Sequence, residues 1–342
     1  MKTAVIGANG SVASELCCIL RGRAIDVQPI VRNKVGAAYL RHMGFSCTIA
    51  EISNEADAKE ALHDIDVVVI AAYAWPDLTS SPKQHAALNE ALVKNAVAYA
   101  GQNATVIYFS TIRALSRKID ANTSFLRPLY DKEKEHLEKV LLHWCKKYGK
   151  KGYALRLGHV FGQNQPFTKK VNELLVNAAE LHLQTNPEQP SNIVHTVTIA
   201  EAITRCATSS VRPGTYTLVN VPQWTWRDVF EHYNTKKIPL MFMGKKKETR
   251  DSWLNDLKQM LVNIAGRQVK HYLRLRQFMP KSLEEYAKQK YLRKKIADDI
   301  ALLKKNDQSF YASPFSYATA PGPYLPGLSK TADLLKKQVT DL

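Results

Sequence analysis

Thr3-Ala4-Val5-Ile6-Gly7-Ala8-Asn9-Gly10-Ser11-Val12-Ala13 stands near the amino end of the 342-residue chain. Its first four residues form an apolar strand run, and a helix-favouring segment begins near Val12. Between them, Gly7 permits a tight turn, Gly10 lets the backbone approach a pyrophosphate, and the small Ala13 allows close helix-to-strand packing. The positively polarised helix end favours such an anion. Gly7, Asn9, Gly10, Ser11 and Val12 are therefore candidate dinucleotide-binding residues. A glycine pair alone is a weak signal, and its place between a strand and a helix within a βαβ unit gives it weight.

Outward from this turn, strand and helix signals alternate, the pattern of a parallel sheet covered on both faces. Apolar runs at Thr3–Gly7, Asp26–Val31, Ser46–Ile49, Asp66–Ala72, Thr105–Ser110 and Gly152–Leu157 predict six strands of a doubly wound α/β sheet. Beyond Gly162 the alternation loosens. A helix is expected around Lys170–Leu183, a strand near Ile193–Thr196, a helix over Ile199–Ser209 and a strand at Gly214–Asn220. The division expected is residues 1–162 for a dinucleotide-binding domain, 163–244 for a smaller substrate-binding part interleaved with its last elements, and 245–342 for a basic, mostly helical tail. Within that tail, Tyr286–Leu303 reads as helix and the segment Asn306–Leu328, with Pro314, Pro321, Pro323 and Pro326, as an extended arm before a short final helix.

Composition narrows the class. With 45% hydrophobic and 23% charged residues, and no apolar run near the ~20 residues that span a bilayer, the chain reads as a soluble globular protein. The first strand begins too soon for a cleavable signal peptide, so a cytoplasmic location is expected. Five cysteines without paired spacing predict free thiols and no metal site. The net charge of +17 is uneven, since residues 235–342 hold 22 Lys and Arg against 10 Asp and Glu. Such a tail suits an anionic membrane surface, through Trp253, Leu257, Leu261 and Tyr272 among its cations, or a solvated and packed helical surface. No nucleic-acid module is visible, and no nucleic-acid partner is expected.

The spacing GxxGxxA resembles the short-chain dehydrogenase/reductase superfamily, and other segments resemble its extended, epimerase/dehydratase-like branch. Glu51-Ile52 falls where that superfamily has an acid and an aliphatic residue addressing adenine. Asp66-Val67-Val68-Val69-Ile70-Ala71-Ala72 resembles its fourth strand, whose small Ala71 and Ala72 let the cofactor lie on the backbone. Tyr130-Asp131-Lys132-Glu133-Lys134 matches its YxxxK motif. The same spacing occurs at Tyr233/Lys237, Tyr286/Lys290 and Tyr291/Lys295, but only Tyr130 follows a strand ending in Ser110-Thr111, with Pro128 marking its helix. Arg156-Leu157-Gly158-His159-Val160-Phe161-Gly162 is similar to the branch's "Rpgnvyg" segment, Val194–Ala202 to its "HvdDvAeA" helix start, and Asn89 to its helical asparagine. The resemblance covers residues 1–234.

The resemblance implies an NAD(P)-dependent oxidoreductase or epimerase acting on a secondary alcohol or ketone carbon, with a nucleotide-activated sugar as substrate class and a homodimer formed through the helix of YxxxK. Thr111, Tyr130 and Lys134 would be catalytic, the last two also touching the cofactor. Tyr73, Ser110, Thr111 and His159 would line the substrate. At the end of the second strand, Arg32 replaces the acid usual in NAD enzymes, which favours a 2′-phosphate and so NADP over NAD; the alternative is an arginine at a strand end in solvent. Ile112-Arg113 stands where sugar-nucleotide dehydratases have an Asp-Glu pair, so dehydration lacks its acid and base. Arg113, Arg117, Lys118 and Arg127 suit either a phosphate-bearing substrate or a solvated loop. A different class, a non-catalytic NADP-binding scaffold or regulator, would be marked by loss of the tyrosine and lysine, both of which are present.

Overall fold

β1 (Lys2–Ile6) passes through the glycine turn into α1 (Ser11–Gly22), and strict alternation follows. It runs through β2 (Asp26–Val31), α2 (Lys34–His42), β3 (Thr48–Ile49), α3 (Glu55–Leu62), β4 (Val67–Ile70), α4 (Pro82–Tyr99), β5 (Thr105–Thr111), a 3₁₀ turn (Ile112–Leu115), α5 (Leu126–Lys147) and β6 (Lys151–Leu157). Shorter pieces come next: β7 (His159–Phe161), α6 (Pro166–Asn177), β8 (Leu181–Leu183), β9 (Ile193–His195), α7 (Thr196–Ala207), β10 (Gly214–Val221), α8 (Trp226–Tyr233), β11 (Leu240–Phe242) and β12 (Leu325–Lys330). This computed structural model describes residues 1–74, 82–115, 126–163, 165–183, 185–209, 211–221, 223–243 and 325–330. Most of the basic tail, its aromatic residues and its expected helices lie outside the described residues.

The main sheet has the order β3-β2-β1-β4-β5-β6-β10-β12. Seven strands are parallel, and β12 is antiparallel at the edge, with Leu218 opposite Leu328. The six strands read from sequence are thus joined by β10 and β12, and four residues of the expected extended arm, Leu325–Leu328, lie in β12. Alternation along each strand sends side chains to opposite faces. Val5, Val69 and Ile107 pack with Leu16, Leu20 and Ile203 of α1 and α7. Ala4, Ile6, Val68 and Ile70 pack with Leu62, Val93, Val97 and Leu141 of α3, α4 and α5. A separate cluster of Phe161, Leu175, Ile193, Trp224, Val229 and Phe230 forms the core of the smaller part.

The expected Lys170–Leu183 helix is divided. α6 ends at Asn177, Ala178 turns extended, and Leu181–Leu183 becomes a strand paired with β11. α7 begins three residues before the expected Ile199, because the His195 side chain caps it by accepting from the Val197 N–H at 3.3 Å. Among the described residues, no helix is long and apolar enough to cross a membrane, and no group of His, Cys, Asp and Glu is placed to hold a metal ion.

Burial, with His232 adding to it, pushes the His195 imidazole from 6.5 down to about 4. The folded state therefore holds His195 neutral while the unfolded chain takes up a proton as pH falls through 6.5. Stability conferred by the neutral ring is full above pH 6.5 and lost toward pH 4. Unfolding followed between pH 7 and pH 4 is expected to show roughly 2–3 kcal/mol of loss from this site. His195→Asn, which keeps a capping acceptor without a titrating ring, is expected to flatten that part of the profile; an unchanged slope contradicts the assignment.

Candidate active site

At the first βα turn, Gly7 has φ +78°, and a Cβ there would lie 2.8 Å from the Ala72 Cα. The turn therefore rests directly on the end of β4, with the Gly7 N–H donating to the Ile30 carbonyl at 3.0 Å and the Gly10 N–H to that of Gly7 at 2.9 Å. Gly10 is the N-cap of α1 and supplies no capping side chain, and the first turn holds no acid. Uncapped N–H groups at a positive helix end, beside exposed Asn9, Gly10 and Ser11 and partly buried Val12, make a cradle that fits a pyrophosphate. Ala71 and Ala72 continue its floor.

Beyond β2 and β3, next to this cradle, lies one loose ion pair. The Arg32 side chain is 66% exposed, and its guanidinium lies 4.0 Å from the Glu51 carboxylate. Glu51 also accepts from the Ser53 hydroxyl at 2.8 Å and donates its own N–H to Asp57. Ile52 is buried behind it.

The i, i+4, i+8 spacing on α5 puts Tyr130, Lys134 and Glu138 on one face. The Lys134 residue is 4% exposed. Its ammonium donates to the Phe109 carbonyl at 2.8 Å and lies 4.6 Å from the centre of the Tyr108 ring, 4.9 Å from that of Tyr73 and 5.7 Å from that of Tyr130. Burial lowers the Lys134 ammonium to about 7, against the opposing pull of Glu133 and Glu138. Tyr73 meets Tyr130 edge-on with centroids 4.9 Å apart. Thr111 stands at the carboxyl end of β5, partly buried, where the 3₁₀ turn begins.

Two carboxylates that sequence reading passed over organise this region. Arg156 grips Glu138 bidentately, its Nε donating to Oε1 at 2.8 Å and its Nη2 to Oε2 at 2.5 Å, and Glu138 takes the Ser110 hydroxyl as well. Ser110, expected beside the substrate, is thus buried and committed to Glu138. Glu133 accepts from the Tyr73 hydroxyl at 2.6 Å and from the Asn89 amide at 2.9 Å, with the His85 Nδ1 3.3 Å away. The hydroxyl of Tyr73, a second expected substrate residue, therefore points to Glu133. An acid four residues beyond Lys134 was a legible sign of Glu138; nothing in the spacing announced His85.

The remaining expected positions lie around these. His159 is exposed and stacks on Phe167 with centroids 5.4 Å apart, with Trp226 5.9 Å away. Thr198 is buried and donates to the Asn220 side chain at 2.9 Å. Buried Glu15 of α1 accepts from Thr196, Gln163 and Gln165 at 2.7, 3.0 and 2.6 Å. A Cβ on Gly162 would run into its carboxylate. The side chains of Arg113, Arg117, Lys118 and Arg127 lie outside the described residues.

A family model described as the NAD dependent epimerase/dehydratase family matches residues 3–218. Among solved structures, UDP-N-acetylglucosamine 4-epimerase from Bacillus cereus is similar with a TM-score of 0.54 and 16% identity, covering 71% of this chain and 85% of that one. UDP-glucose 4-epimerase from Thermus thermophilus, solved with NAD, gives 0.52 and 17%, covering 73% and 88%. ADP-L-glycero-D-manno-heptose-6-epimerase from Helicobacter pylori gives 0.54 and 17%, covering 71% and 85%. These likenesses establish a shared fold. No curated protein sequence matches the chain.

Glu138→Ala is expected to leave the Arg156 guanidinium buried without its bidentate partner, a change worth about 3–5 kcal/mol of stability. Replacing both partners together, as Glu138→Leu with Arg156→Met, is expected to be milder. Urea unfolding of the three proteins checks the order, and equal losses in single and double variants contradict it.

Proposed function

This chain belongs to the NAD dependent epimerase/dehydratase family, and from that premise we propose that it is an NAD(P)-dependent enzyme that oxidises and reduces a secondary carbinol carbon of a nucleotide-linked sugar, by epimerisation or by net reduction. The observation that carries this reading is the pairing of Tyr130 with buried Lys134 on one face of α5, at the sheet edge where the Gly7 turn meets β4. Ligands of open α/β sheets bind at that carboxyl edge. The sugar-nucleotide class is supported by the names of the similar structures, UDP-glucose and UDP-N-acetylglucosamine epimerases.

The dinucleotide, when bound, supplies the hydride-exchanging carbon. Backbone groups of Gly7, Asn9, Gly10, Ser11 and Val12 hold its pyrophosphate at the α1 end. Ala71 and Ala72 keep the floor small, and Glu51 with the Ile52 N–H addresses the adenine. The pair of Arg32 with Glu51 is long and exposed, and such pairs are worth little. The guanidinium is thus available to a 2′-phosphate, which supports NADP(H) over NAD(H).

Tyr130 takes the substrate hydroxyl proton when the carbinol is oxidised and returns it to the carbonyl oxygen on reduction. Thr111 donates a second hydrogen bond to that oxygen. Lys134 holds a positive charge behind Tyr130, which lowers the phenol toward the range useful at neutral pH, and it also reaches the nicotinamide ribose. His159, stacked on Phe167, offers a ring face at the rim for the substrate. Elimination of water lacks an acid and a base, since Ile112 and Arg113 follow Thr111. A homodimer through α5 and a cytoplasmic location complete the reading, and the basic tail is the part suited to an anionic membrane surface.

Tyr130→Phe is expected to lower turnover 10²-fold or more while leaving NAD(P)H binding within about twofold; full activity in this variant overturns the mechanism. Titration of the wild type is expected to give tighter binding of NADPH than of NADH, with Arg32→Ala losing most of the difference, and a clear NADH preference removes the role given to Arg32. Cofactor turnover separates the two reactions, because an epimerase recycles bound cofactor and a reductase consumes it stoichiometrically.

A further inference from the structure

Tyr73 meets the site at both of its ends. Its ring centre lies 4.9 Å from the Lys134 ammonium, which also has the Tyr108 ring at 4.6 Å. Its hydroxyl donates to Glu133, the residue beside Lys134. The next residue, Ala74, is gripped on both backbone groups by Asn89, whose side chain accepts from its N–H at 2.8 Å and donates to its carbonyl at 3.1 Å. Asn89 also donates to Glu133, and His85 of α4 lies 3.3 Å from the same carboxylate. One clamp, built from α4 and α5, therefore fixes both the backbone after Tyr73 and the far end of its side chain.

We propose that Tyr73 is a positioning residue that keeps Lys134 charged: its ring, held in place by the Glu133–Asn89–His85 clamp, forms with Tyr108 an aromatic cage for the buried ammonium that faces Tyr130. This inference rests on the role given to Lys134 above and deepens it.

The physical need is plain. An ammonium removed from water loses its hydration and tends to shed its proton. The Phe109 carbonyl accepts one of its three N–H donors. Ring faces within about 6 Å attract a cation, more strongly where water is excluded. The groups facing Lys134 can be named element by element. α5 contributes Tyr130, Glu133 and Glu138; β5 contributes Tyr108, the Phe109 carbonyl and Ser110 next to it; the end of β4 contributes Tyr73. His85 and Asn89 of α4 act through Glu133, and Arg156 of β6 through Glu138. Glu138 is largely offset by its bidentate Arg156, which leaves the rings and Glu133 as the counterweight to desolvation. Tyr73 itself is held neutral, because burial and its bond to Glu133 raise its phenol far above the ordinary value. It is thus a poor acid or base at neutral pH and a good neutral wall.

The test uses the cofactor-free full-length protein labelled with ¹⁵N at the lysine side chains, with the Lys134 resonance identified by its loss in Lys134→Arg. Tyr73→Met keeps a comparable length without a ring, and it is expected to lower the proton affinity of Lys134 at least threefold. Tyr73→Phe, which restores the ring, is expected to recover it to within about twofold. Equal titration of Lys134 in wild type and Tyr73→Met, or equal shifts in the Met and Phe variants, overturns the cage. Should Tyr73→Met not fold, the cycle of Glu133→Gln, Tyr73→Phe and the double variant decides the point. Non-additive shifts support a clamp acting through Tyr73, and strictly additive ones mean that Glu133 acts as a remote charge alone. The measurement needs neither substrate nor turnover, so failure of the cage is seen here, whereas failure of the proposed reaction is seen in Tyr130→Phe.

Discussion

The backbone of Gly7 lies against Ala72 with no room for a side-chain carbon between them, and most of the architecture depends on that approach. Because the β1–α1 turn rests on the end of β4, β1 sits between β2 and β4 in the sheet and α1 points its uncapped end along the carboxyl edge. A larger residue would lift the turn, and its left-handed backbone would be strained as well. The same approach requires small residues at the end of β4, where Ala71 and Ala72 stand. The cradle and the tyrosine–lysine helix thereby come to face one another across the ends of β4 and β5.

Beneath that edge, α5 and β6 together bury an unusual density of charge. Lys134, Glu138 and Arg156 are all nearly excluded from solvent, and burying a lone charge costs several kcal/mol. The arrangement is tolerable because each charge has a directional partner. Arg156 grips Glu138 through both its Nε and its Nη2, Ser110 adds a further bond, and Lys134 finds a carbonyl and ring faces. Such pairs add little net stability relative to a well-packed apolar core. They do fix the rotation of α5 against β5 and β6, and that rotation sets where the Tyr130 phenol points.

The parallel sheet was legible because its strands are continuous apolar runs separated by helix-length segments, and β2, Asp26–Val31, agrees with the reading to the residue. Tyr130/Lys134 was picked from four equal spacings by its neighbours alone, Ser110-Thr111 before it and Arg156–Gly162 after it. What escaped was whatever depends on distance in space. Glu133, His85 and Asn89 meet because α4 packs beside α5, and no period in either helix marks their shared point. β7, β8, β9 and β11, three residues each, are too short to show alternation, and only β9 was anticipated, as the strand expected near Ile193–Thr196. β12 joins the sheet from more than one hundred residues beyond β10, a pairing that local pattern does not encode.

A second close approach explains how the smaller part is held in register with the first. Gly162 lies so close to Glu15 that a side chain would collide with the carboxylate, and this carboxylate, inside the cradle helix α1, receives bonds from Gln163, Gln165 and Thr196. Gln165 also donates to the Ser11 carbonyl at the start of that helix. The chain leaving β6 is therefore tied to the element whose amino end forms the cradle. His159 and Phe167, three residues before and five after Gly162, flank that tie and carry the exposed ring face. Any shift of α1 relative to the sheet moves that face as well. The spacing between cradle and rim is thus set by one buried glutamate and two glycines, and loop length has little part in it.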